Sequence, residues 1–72
     1  MLYYEKMKQV RLDADETQDE IAKAMNTTQQ QYAKYESGIH KIPADRLLLF
    51  CQHYGVSSDY IFDLPKTMKW PR

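Results

Sequence analysis

A single cysteine among 72 residues excludes an internal disulfide framework, and a lone thiol points to a reduced, cytoplasmic setting. No apolar run reaches the roughly eighteen residues that a membrane-crossing helix needs. The N-terminus lacks the basic-then-apolar shape of a secretory signal. Repeats, low-complexity tracts and internal linkers are missing, so the chain reads as one domain. At this length it lies near the lower limit for a core that is stable without staples. Catalytic signatures are missing as well: no Gly-rich phosphate loop, no His/Cys cluster, no serine beside a candidate base. Cys51 and His53 are two positions apart on a helical stretch, so they face different ways. They can neither form a nucleophile–base pair nor share a metal. Neither an enzyme nor a cofactor or metal is expected, and Cys51 suits an inert core position.

An excess of one charge is lacking too. Ten basic and ten acidic residues give a formal net charge of zero, whereas a strong non-specific nucleic-acid binder is usually basic. The distribution is uneven. Residues 1–12 carry +2, 13–20 carry −5, 21–46 carry +2, 47–63 carry −2 and the tail from Leu64 carries +3.

What is present is a pair of helix-start signals. Thr17 with Glu20 fits a capping box, in which the hydroxyl accepts a backbone N–H and the carboxylate reaches back. Thr28 with Gln31 repeats the pattern, which assigns the Gln31 side chain to capping. Between the two caps there is room for one short helix and a turn, and Asn26 suits the left-handed turn position. Asp19 and Glu20 favour the positive end of the helix dipole. Ile21, Ala22 and Met25 on the first of these helices, and Tyr32 and Tyr35 on the second, each make one apolar stripe. Ala22 is small enough to let two helices cross closely. The tyrosine hydroxyls must reach water or a partner.

Around this pair the periodicity predicts a first helix over roughly residues 2–13, carrying Tyr3, Tyr4, Met7, Val10 and Arg11 and ended by Asp13-Ala14-Asp15. Ser37-Gly38 stops the second helix of the pair, and a loop runs from Ile39 to Pro43. Leu47, Leu48, Phe50, Cys51 and Tyr54 form the apolar face of a fourth helix, stopped at Gly55. Ser57 or Ser58 caps a short fifth helix with Ile61 and Phe62. The expected fold is all-α with five short helices.

The stretch 17–36, with its Thr-Gln opening, its alanine at the crossing and its Thr-Thr-Gln-Gln entry to the second helix, resembles the phage repressor and Cro-type helix-turn-helix family. Tyr35-Glu36-Ser37-Gly38 and Gly55-Val56-Ser57-Ser58-Asp59-Tyr60-Ile61-Phe62 extend the likeness, which covers roughly residues 7–64. Asn26 stands where the family usually has glycine, and Tyr32 and Tyr35 where aliphatic residues are more usual. The resemblance implies a lambda-repressor-like DNA-binding domain over residues 1–64, followed by a tail at 65–72.

It also implies roles. A recognition helix beginning near Thr28 would enter the major groove of double-stranded DNA with its N-terminal residues at the base edges. Thr28, Gln29, Gln30 and Lys34 are the expected base contacts. A glutamine amide matches the N6/N7 edge of adenine, and a threonine methyl can meet that of thymine. Gln18 at a helix start, and Ser37, His40 and Lys41 in the following loop, are the expected phosphate contacts. Ile39 and Ile42 make that loop less basic than in many relatives. Arg11 and Glu36 stand where the family often has an ion pair fixing the recognition helix. Such proteins bind palindromic operators as homodimers, commonly as repressors of transcription, and Tyr60, Ile61, Phe62 and Leu64 are dimer-patch candidates. Met68 and Trp70 could extend that patch, fold back or stay disordered. The competing expectation is an interaction module of the same fold, an antitoxin or anti-repressor with little DNA affinity. Zero net charge and the acidic 13–20 segment favour it, while the glutamine row and Lys34 oppose it.

Overall fold

The computed structural model describes residues 2–62; Leu64, Met68 and Trp70 lie outside them. Five helices and no strand occur among the described residues: α1 Tyr3–Asp13, α2 Gln18–Ala24, α3 Gln29–Glu36, α4 Ala44–Tyr54 and α5 Ser58–Phe62. α2 packs on α3, α1 packs on α3 and α5, and α4 packs on α2 and α5. One core results, centred on Met7, Ile21, Met25, Tyr32, Phe50 and Ile61, each fully enclosed.

Local chemistry accounts for where the elements start and stop. Thr17 caps α2 reciprocally: its Oγ1 accepts from the Glu20 N–H at 3.2 Å, and the Thr17 N–H donates to Glu20 Oε1 at 2.9 Å. Asn26 takes the left-handed φ of 56° in the turn between α2 and α3, and Asp15 adopts φ 58° in the connection before α2. Ala22 is buried on α2, the helix that packs against α3, and a close crossing of two helices favours so small a side chain.

Gly38 ends α3 with φ 81°, and a Cβ there would sit 2.6 Å from Tyr4 Cζ. Two demands therefore meet at this glycine: a left-handed backbone and contact with an aromatic ring. Gly55 ends α4 at φ 66°. Pro43 precedes α4 as its N-cap residue, and Ser57 Oγ caps α5 by accepting the Tyr60 N–H at 3.1 Å.

Three expectations change. Leu48 is 56% exposed, so it leaves the buried face of α4, whereas Leu47, Phe50 and Cys51 keep it. Ile61 is fully enclosed in the core and cannot belong to a dimer patch. Thr28 caps α3 through Gln31 N–H at 3.1 Å, but the Gln31 side chain does not return the bond and reaches His40 instead. In α2 the same span is closed by a carboxylate, a stronger acceptor for the cap N–H than a neutral amide.

Candidate nucleic-acid interface

The end of α3 is anchored from below before its tip can present anything. Arg11, on α1, meets Glu36 in a bidentate pair: Nε to Oε2 and Nη2 to Oε1, both at 2.9 Å. Its third nitrogen, Nη1, donates to the Glu16 carbonyl at 2.7 Å. The two side chains are only 10% and 3% exposed. Burial alone would push the Glu36 carboxyl up. The Arg11 donors, helped by nearby Tyr32 and by Gln18, more than offset that and hold it below the ordinary carboxylate value. The Glu36 partner likewise raises the Arg11 guanidinium pKa. Tyr32 places its enclosed hydroxyl near this carboxylate but outside hydrogen-bonding geometry, and burial pushes the phenol pKa far up.

From Glu36 a polar chain runs to the tip of α3. Gln18 Nε2 donates to Glu36 Oε1 at 3.2 Å, and Gln29 Nε2 donates to Gln18 Oε1 at 2.8 Å. The polarity of this chain follows from its root. A carboxylate only accepts, so Gln18 must turn its NH2 inward and its carbonyl outward, and Gln29 must then donate to that carbonyl. Gln29 keeps one N–H and its carbonyl oxygen unspent. One donor and one acceptor on a single exposed amide is the pattern that an adenine edge matches.

The remaining residues of interest fall around that tip. Thr28, Gln29, Gln30 and Lys34 are all exposed. Thr28 Oγ1 is engaged in capping, which leaves its methyl group for apolar contact. Gln30 and Lys34 are one turn apart on α3. Gln18 is half-buried, with its amide committed at both ends. Ser37, His40 and Lys41 are exposed in the segment after α3. There the Ser37 hydroxyl donates to the Lys34 carbonyl at 3.3 Å, and the His40 backbone N–H donates to the same carbonyl at 3.1 Å. The base-edge candidates thus sit on one helix and the backbone candidates on its flanks.

Sequence reasoning missed two partners. His40 Nδ1 lies 3.3 Å from Gln31 Nε2, and His53 Nε2 lies 2.8 Å from Glu16 Oε1. Neither pair leaves a spacing signature, because each joins a helix to a loop that only the tertiary fold brings near. The His53 bond lowers the Glu16 carboxyl pKa, and burial raises the Cys51 thiol away from the reactive range. No group of three or more His, Cys, Asp or Glu side chains among the described residues could hold a metal ion. None of the described helices is long and apolar enough to cross a membrane.

This geometry agrees with what comparison with known proteins finds. A family model described as helix-turn-helix matches residues 7–61. An uncharacterised HTH-type transcriptional regulator, YobD, from Bacillus subtilis (strain 168) is 30% identical over 63 residues, covering 88% of this chain and 56% of the relative. The chain therefore spans about half the length of that relative. No solved structure gives a significant match. Five helices, a capped α2–α3 pair and a family match across most of its length place the chain in the Cro-type helix-turn-helix family.

Proposed function

We propose that the protein binds double-stranded DNA in a sequence-specific manner and regulates transcription, as a repressor. The observation that carries this reading is the exposed Gln29 amide, braced through Gln18 to the buried Arg11–Glu36 pair. A side chain that reads a base edge must be held before binding, since each freely rotating group loses entropy on docking. α3 enters the major groove with Thr28, Gln29, Gln30 and Lys34 toward the base edges. Gln18, Ser37, His40 and Lys41 face the phosphates on either side and set the register. The relative's name, that of a transcriptional regulator, points the same way.

A single domain of this size touches few base pairs. Two copies on a palindrome, with half-sites about 34 Å apart, supply the missing specificity. Phe62, 44% exposed and lining one groove with Leu48, offers an apolar surface for a weak homodimer that DNA strengthens. Tyr60, two positions away on α5, faces another side with its ring under Lys6 Nζ. The setting is cytoplasmic.

Zero net charge favours a second reading, an interaction module of the same fold with little affinity for DNA. Retention on a duplex-DNA column separates the two. A DNA reader is held at low salt and elutes as salt rises, with a modest slope because few phosphates are neutralised. An interaction module passes through at every salt concentration.

A further inference from the structure

Gln31 stands third in the glutamine row and takes a course of its own. Its backbone N–H serves the Thr28 cap, but its side chain crosses to the next loop, where Nε2 lies 3.3 Å from His40 Nδ1. The same loop is tied to α3 a second time, through the His40 N–H and the Lys34 carbonyl. Its entry is fixed at Gly38 against the Tyr4 ring. His40 is thus held at both backbone and ring while the ring stays exposed.

With the Gln31 Nε2 turned toward Nδ1, the tautomer that completes the bond has its lone pair on Nδ1 and its proton on Nε2. The free edge of the imidazole is then a donor, the polarity that a phosphate oxygen accepts. The other tautomer would turn a lone pair toward that anion. We infer that Gln31 is a positioning residue for DNA binding. It seats the His40 imidazole so that Nε2–H donates to one phosphate oxygen of the duplex. This rests on α3 being the recognition helix.

The test uses the wild type, Gln31→Leu, His40→Ala and the double variant. Each is titrated with a duplex of the best selected sequence, first intact and then with single methylphosphonate replacements along both strands. His40 is exposed and Gln31 half-buried, and neither belongs to the core, so all four proteins should melt alike. Each single variant is expected to lose roughly three- to tenfold in affinity, and the double variant no more than either. Replacement at one phosphate of each half-site, a symmetry-related pair on the two strands, should weaken the wild type and leave all three variants unaffected, while replacements elsewhere still weaken them. Preference among base pairs should not change, because a phosphate carries no sequence information. Additive losses in the double variant overturn the inference. So does unchanged affinity in Gln31→Leu, or a His40→Ala protein that still senses every phosphate the wild type senses. A wild type that binds no duplex at low salt would instead sink the DNA-binding reading beneath it.

Discussion

Glu36 is the residue on which the proposed recognition surface depends, because it receives Arg11 from below and Gln18 from the side. Removing its carboxylate leaves a guanidinium buried without a counter-charge. Glu36→Ala should therefore cost on the order of 3–5 kcal/mol. A domain of this length has a total stability of only roughly 4–11 kcal/mol. A large drop in the melting temperature is expected, and an unchanged one would mean that the pair is not buried in solution. Gly38 makes a smaller but sharper case. Gly38→Ala meets both a positive φ and the Tyr4 ring, and should destabilise by roughly 1–3 kcal/mol. Adding Tyr4→Ala should restore the steric share of that loss and leave the backbone share. The glycine's left-handed role is legible in the sequence from its place after a helix. The ring against it is not, since Tyr4 is 34 positions away.

At the scale of elements, α2 and α3 are set by caps that act over three residues, and such signals survive in the sequence whatever the rest of the chain does. Thr17→Ala should cost about 0.5–2 kcal/mol, measured by chemical denaturation, because the Glu20 N–H and the Glu20 carboxylate both lose the Thr17 hydroxyl while the bond from the Thr17 backbone N–H survives. The Gln31 side chain shows where local reasoning ends. Its spacing from Thr28 permits a capping box, but a loop imidazole within reach competes for the amide. Leu48 fails for a similar reason, because helical periodicity gives a stripe without telling how wide a neighbour will cover it. The connection between α1 and α2 is closed by Glu16 and His53, a contact across 37 positions. Glu16 and Glu36 both have folded pKa values below the ordinary 4.5. Such groups stabilise the fold fully above the unfolded value, and that stability is lost as pH falls through the depressed folded value. Thermal melts should therefore drop steadily once pH passes below about 4.5. His53→Ala should flatten the part of that decline due to Glu16; an identical acid limb would show that the bond contributes nothing.

For the molecule as a whole, the all-α architecture and helix order are legible in the sequence, because each helix carries an apolar stripe and a start or a stop signal. The brace from Arg11 to Gln29 is legible only in pieces. Resemblance suggests the ion pair, and spacing suggests the glutamine row. The chain of donors joining them exists once α1, α2 and α3 meet. That chain gives the tip of α3 a defined donor and acceptor, as the proposed reading requires, at zero net charge and with little help from bulk electrostatics. Specificity should thus exceed what non-specific affinity would suggest. The most direct test is selection of bound sites from a random duplex pool, run in parallel with the wild type and Gln29→Ala. The account predicts an enriched palindrome with half-sites one helical turn apart. In the variant, one symmetric base-pair position should lose its preference, at a cost of about 1–3 kcal/mol. An unenriched pool, or a variant weakened equally on every sequence, would contradict it.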